Sequence, residues 1–226
     1  MDSGQRTLGI FAKQPVAGAV KTRLAEELGT GAAAALYAAF TADVVARFRH
    51  VAARRVLCFT PADGAAAAHF AALAGSDYET WPQPEGDLGP RLRAFFAEHL
   101  RGGAGGCVAI GSDSPTLPLA FVERAFELLD RHDCVLGPAT DGGYCLLGLR
   151  DAGFPVFDDI EWSGPNVLEQ TIARLDRPGA TLALLPPWYD IDTPADLAFL
   201  RGHVRAMRHA GEAIDIPATL RRFDLE

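Results

Sequence analysis

The stretch FAKQPVAGAVKTRL (residues 11–24) carries three cations, Lys13, Lys21 and Arg23, directly after the apolar run TLGI. Pro15 stiffens this loop, and Gly18 lets its backbone take a positive φ or pass close to a ligand. A helical pattern begins near Thr22. Free N–H groups and the charges of Lys21 and Arg23 are therefore expected at one place, which suits a diphosphate or triphosphate. The string is neither G-x-x-x-x-G-K-[ST] nor G-x-G-x-x-G. A solvated basic turn is the plainer reading of it.

Four further loops hold most of the other reactive residues. In IGSDSPTLP, an apolar run ends at Gly111 and Asp113 follows between two serines. A carboxylate at a strand end beside a phosphate site is a natural oxygen ligand for Mg²⁺; the alternative is an Asp that caps a turn. In YDIDTPADL, Asp190 and Asp192 alternate, so an extended backbone points both the same way. Thr193 suits an N-cap and Pro194 a first helical position. Asp113 and Asp192 are thus expected to clamp one metal, unless Asp190 and Asp192 only cap and solvate the turn. In GPATDGGYCLLGL, Asp141 and Tyr144 flank Gly142 and Gly143, which suits a pocket for a second substrate or a plain hairpin turn. In QPEGDLGPRL, Asp87 and Arg91 flank Gly89, placed to meet a base or sugar or simply to turn the chain.

Other chemistries are disfavoured. G-S-D-S-P lacks the G-x-S-x-G elbow of a serine hydrolase. The six histidines fall mostly in helical stretches, with no H-x-x-x-H pair, which speaks against zinc and against His-based acid–base work. Cys58, Cys107, Cys134 and Cys145 form no C-x-x-C pair and read as small core residues in a reducing compartment.

These loops need elements to position them. Strand and helix patterns alternate nearly throughout: TLGIF, a helical stretch from Thr22 to ARF, RRVLCFT, AAAAHFAALA, DYETW, PRLRAFFAEHL, CVAIG, LAFVERAFELLDR, DCVLGPA, YCLLGL, PNVLEQTIARL, TLALLP and ADLAFLRGHVRAMRHA. Such alternation predicts an α/β, three-layer α/β/α sandwich with a Rossmann-like, mostly parallel central sheet. All-apolar strands such as CVAI fit a sheet covered on both faces. Ligands in such folds bind beyond the C-terminal strand ends, where these five loops lie. No composition break divides the chain, so residues 1–226 read as one domain, with 215–226 either a loose tail or a packed end.

The 226 residues are 49% hydrophobic and carry a formal net charge of −8, which disfavours nucleic acid or an anionic membrane as the main partner. MDSGQRT lacks the layout of a signal peptide, and no apolar stretch reaches the ~20 residues of a membrane helix. A cytoplasmic protein is expected, and a homodimer is compatible with the reading.

In order along the chain stand F-A-K-x-P-x-x-G-x-V-K-T-R-L, D-L-G-x-R-L, G-S-D-S-P, D-G-G-Y-x-L-L-G-L, W-S-G and D-I-D-T-P-A-D-L. Across about residues 8–200 this set resembles the bacterial rSAM/selenodomain-associated transferase 1 family, glycosyltransferase-like proteins. Two departures are Ala17, where that family generally has proline, and Gly164, where W-S-T is usual. The family is similar to the GT-A nucleotide-diphospho-sugar transferases, including 2-phospholactate and molybdenum cofactor guanylyltransferases and CMP-sugar synthetases.

The resemblance implies a GT-A fold, a first-strand loop in which Lys13, Lys21 and Arg23 hold the triphosphate, and a metal on Asp113 and Asp192; together with the loops read above, the following roles are expected. Phe11, Ala12, Lys13, Gly18, Lys21, Arg23, Asp87 and Arg91 would bind the nucleotide. Asp113 and Asp192 would hold Mg²⁺ or Mn²⁺. Lys21, Arg23 and Asp113 would be catalytic. Asp141, Gly142, Gly143, Tyr144, Trp162 and Ser163 would face the acceptor. The expected activity is Mg²⁺-dependent nucleotidyl transfer from a nucleoside triphosphate to a small phosphorylated or sugar-like acceptor, releasing pyrophosphate. The alternatives are glycosyl transfer from a nucleotide sugar, with S-D-S standing in for D-x-D, and a non-catalytic nucleotide-binding module.

Overall fold

The computed structural model describes residues 6–101, 105–175 and 179–222. Seven strands form one sheet in the order β3-β2-β1-β4-β6-β5-β7. They are β1 (Thr7–Lys13), β2 (Arg54–Thr60), β3 (Glu79–Pro82), β4 (Cys107–Gly111), β5 (Cys134–Pro138), β6 (Tyr144–Leu149) and β7 (Leu182–Leu184). All neighbours pair in parallel except β6, which runs antiparallel to both β4 and β5. The helices are α1 (Thr22–Leu28), α2 (Thr30–Phe48), α3 (Gly64–Ala74), α4 (Leu88–His99), α5 (Leu119–Leu129), α6 (Val167–Leu175), α7 (Pro194–Ala210) and α8 (Pro217–Arg222). The expected three-layer α/β arrangement with a mostly parallel sheet is what the chain adopts.

The period-2 alternation of strand side chains divides the core into two layers. Leu8, Ile10, Leu57, Phe59, Val108 and Ile110 point to one face, where they pack on α2, α3 and α5. Their neighbours Val56, Cys58, Cys107 and Ala109 point to the other face, against Leu92, Phe95 and Phe96 of α4. Gly9 marks the tightest contact there: a Cβ on it would lie 2.3 Å from Phe95 Cζ. That close approach lets α4 sit down on β1. A third cluster joins α1 and α2 to α7 and Ile216.

The helical stretch read as starting at Thr22 is two helices. Gly29, at φ +80°, closes α1 and turns the chain into α2, a conformation cheap only for glycine. α2 is also long and apolar enough on length and composition to cross a membrane, but most of it is buried inside the fold. At the far end of the chain, α8 docks on α2. The buried Asp43 carboxylate accepts the Ala218 and Thr219 N–H groups at 2.9 and 2.7 Å, filling the orphan donors of a helix start.

Candidate active site

Every parallel strand carries its C-terminal end toward one edge of the sheet, and a cavity of about 790 Å³ opens there. The first loop enters it from β1. The main-chain N–H of Lys13 donates to the buried Tyr37 hydroxyl at 2.9 Å, and that hydroxyl also bonds Ser112 Oγ at 2.8 Å. This ties the ends of β1 and β4 to α2. The loop then turns through Gly18 at φ +79° and ends at Lys21, which has a left-handed backbone (φ 49°, ψ 45°) just before α1. Such a conformation is uncommon for a residue with a side chain. Here it swings Lys21 inward while Arg23, two residues on, stays exposed at the cavity wall.

Lys21 forms the centre of the site. Its side chain is only 3% exposed, and its ammonium bonds Asp113 Oδ1 and lies 2.7 Å from Asp192 Oδ1. Burial alone would lower its pKa, but the two carboxylates outweigh that and hold it above the ordinary lysine value. Nζ also lies 5.6 Å from the Tyr37 ring centroid, within cation–π range. The two carboxylates meet because backbone pairing brings their loops together: Ile191 N donates to Asp113 O at 3.1 Å. Asp192 is followed by a capping box in which the Thr193 side chain and Asp196 satisfy each other's backbone N–H groups, with Pro194 at the first position. This is the arrangement expected from T-P-A-D.

Asp190 and Asp192 both line the cavity, with fully buried Ile191 between them, so the alternation does point both acids one way. Asp190 accepts a bond from Ser114 Oγ. Burial pushes its pKa up to about 7; the Ser114 hydroxyl pulls the other way, and the like charges of Asp113, Asp141 and Asp192 add to the rise.

A divalent cation fits these groups. The Asp113 and Asp192 side chains are each 42% exposed, above the buried lysine, and carboxylate oxygen suits a hard cation. Among the described residues no cluster of three or more His, Cys, Asp or Glu side chains is arranged to enclose a metal. Two carboxylates with the remaining positions left to water and phosphate oxygens is the usual holding of Mg²⁺ at phosphate sites.

The remaining wall falls into two parts. On the β2–β3 side stand Phe11, Ala12, Thr60, Gln83, Leu88 and Arg91. On the β6 side stand Asp141, Gly143, Tyr144, Trp162, Ser163 and Pro165. Here the Trp162 indole lies so close to Gly89 that a Cβ there would be 2.1 Å from Nε1, which pins the 158–166 loop to the start of α4. Three residues named from the sequence, Gly18, Asp87 and Gly142, are outside the cavity lining. Gly18 turns the first loop, and Asp87 precedes α4 without a side-chain cap bond. Gly142, at φ +94°, packs its backbone on Pro165, whose oxygen would lie 1.8 Å from a Cβ. The D-G-G segment is thus also the hairpin turn between β5 and β6. The helix expected near Thr22 is α1, of seven residues. Tyr37, Gln83 and Asp190 are among the cavity residues that the motif reading left without a role. Asp190 had a signal in its spacing from Asp192; Tyr37 and Gln83 had none.

A doubly covered sheet with one antiparallel strand and this cavity at its C-terminal edge is the fold of the nucleotide-diphospho-sugar transferases. A Desulfovibrio desulfuricans protein, provisionally described as a nucleotide-diphospho-sugar transferase, is 32% identical over 98% of this chain and 96% of its own, with a TM-score of 0.88. CMP:2-keto-3-deoxy-manno-octonic acid synthetase, solved with CTP, shares the fold at 12% identity, covering 90% of this chain and 99% of its own (TM-score 0.56). Rv0371c of Mycobacterium tuberculosis, solved with manganese, does so at 19% identity over 87% of this chain and 97% of its own (TM-score 0.52). No curated protein matches the chain. Residues 41–164, more than half of the sequence, match the family described as "Uncharacterized protein conserved in bacteria (DUF2064)", and the chain belongs to that family.

Proposed function

We propose that the protein is a divalent-metal-dependent nucleotidyltransferase. It moves a nucleoside monophosphate from a nucleoside triphosphate to a small phosphorylated or sugar-like acceptor and releases pyrophosphate. The observation that carries this reading is the meeting of a cationic loop with a lysine-bridged pair of carboxylates on one cavity. The same fold in a synthetase solved with CTP, and in a protein solved with manganese, supports it.

An acceptor oxygen attacks the α-phosphorus, and the bond from that phosphorus to the bridging oxygen breaks. Such a transfer needs positioning and charge stabilisation more than a protein nucleophile. Arg23 and Lys13 attract the phosphate chain and stabilise the charge that builds on the departing pyrophosphate. Asp113 and Asp192 would hold Mg²⁺ or Mn²⁺, which would supply positive charge against the phosphates. Lys21 keeps the two acids together, and the wall of Asp141, Gly143 and Tyr144, with Trp162 and Ser163, receives the acceptor. With four unpaired thiols, a reducing cytoplasm suits the protein.

A second reading is glycosyl transfer from a nucleotide sugar. The provisional description of the 32% identical neighbour favours it, as does the resemblance to the glycosyltransferase-like rSAM/selenodomain-associated family. Thermal unfolding with Mg²⁺ and each nucleoside triphosphate or nucleotide sugar separates the two. A ligand at 100 Kd adds about 2.7 kcal/mol of stability. A clear shift with a triphosphate is expected; a shift with nucleotide sugars alone overturns the first reading. Asp113→Asn is expected to remove metal-dependent turnover and keep the fold, and full activity in that variant overturns the metal assignment.

A further inference from the structure

The cavity end beside α4 presents a small polar edge with a defined pattern of donors and acceptors. Gln83 follows β3 and is 4% exposed, and its backbone N–H extends the sheet by bonding Phe59 O at 2.8 Å. Its side-chain Nε2 donates to Cys58 O at 2.8 Å and to Ala12 O at 3.4 Å. Two backbone carbonyls can only face the NH₂ end of the amide, so the orientation of the amide is fixed. Oε1 accepts from Arg91 Nη1 at 3.4 Å, and its second lone pair is left for a ligand. Arg91 is anchored through Nε on Gly86 O at 2.7 Å, which leaves the Nη end of its fork toward Gln83. Leu88 and Leu92 give apolar surface beside this edge, as a flat ring requires.

We infer that Gln83 and Arg91 select the base of the triphosphate and that the base is cytosine. The inference rests on the nucleotidyltransferase reading above. One acceptor beside a guanidinium fork complements a base edge of one donor and two acceptors. Cytosine has that edge: its N4 amino group donates to Gln83 Oε1, and N3 and O2 accept from Arg91. Uracil in the same pose sets O4 against Oε1 and N3–H against the guanidinium, so both contacts become repulsive. Guanine inverts the pattern in the same way, and adenine has no second acceptor. A site built to hydrogen-bond a base discriminates strongly against an analogue that leaves its polar groups unpaired.

The test is titration of the full chain with CTP, UTP, ATP and GTP in the presence of Mn²⁺. CTP is expected to bind at least tenfold tighter than UTP. Gln83→Leu and Arg91→Ala are each expected to bring CTP affinity down to near that of UTP. Arg91 lies at the wall and not in the sheet, so its variant keeps the test open if Gln83→Leu fails to fold. Equal binding of CTP and UTP, or tighter binding of a purine, overturns the base assignment and leaves the nucleotidyltransferase reading standing. If no triphosphate binds, both fall.

Discussion

Lys21 shows how one residue can act through others. Replacing it with Met keeps the apolar stem and removes the ammonium, leaving Asp113 and Asp192 facing each other without a counter-charge. Breaking a fully buried pair costs about 3–5 kcal/mol. Both carboxylates are 42% exposed, and water screens them, so a loss of about 2 kcal/mol is expected in urea unfolding, together with loss of turnover. A variant as stable as the parent would show that the bridge does not hold the two loops together. The sequence named all three members of this bridge, because strand ends and turn chemistry mark them as loop residues with reactive side chains. Their pairing was less legible. A lysine near a phosphate loop reads as a phosphate ligand, whereas a left-handed backbone turns Lys21 onto the acids. Gln83 and Tyr37 carried no signal at all. Each acquires its place through contacts with residues 25 to 75 positions away, which spacing along the chain cannot express.

At the scale of elements, periodicity foretold nearly every strand and helix, since alternation and helical spacing record which face is buried. The breaks were harder to read. The division of α1 from α2 depends on a single glycine conformation, and the antiparallel course of β6 follows from a short hairpin whose D-G-G turn could equally be a ligand loop. The end of the chain was also undecided by sequence. The helix there, α8, depends on Asp43, which is buried in α2 and accepts two of its N–H groups. Asp43→Ala is expected to cost about 1–2 kcal/mol, as loss of a helix-start acceptor does, and to raise hydrogen exchange at 217–222 well before the sheet responds. Unchanged protection there would mean that α8 is held by Ile216 and its apolar neighbours alone.

For the molecule as a whole, the sheet decides which groups meet solvent. All four cysteines are buried. Burial pushes the Cys134 and Cys145 thiols up to about 12 and those of Cys58 and Cys107 well above the ordinary value. At pH 8 none carries appreciable thiolate, the reactive form. A thiol reagent is therefore expected to label no cysteine in the native protein and four after denaturation; fast native labelling would show that the sheet opens locally. The lysine bridge has a consequence at this scale too. Residues 21, 113 and 192 lie on three separate loops yet share one balance of charge, one cation against two anions. A change at any of them alters what the other two can tolerate. In descent from a common ancestor these positions should change together or not at all, and a relative without the lysine should also lack one of the acids.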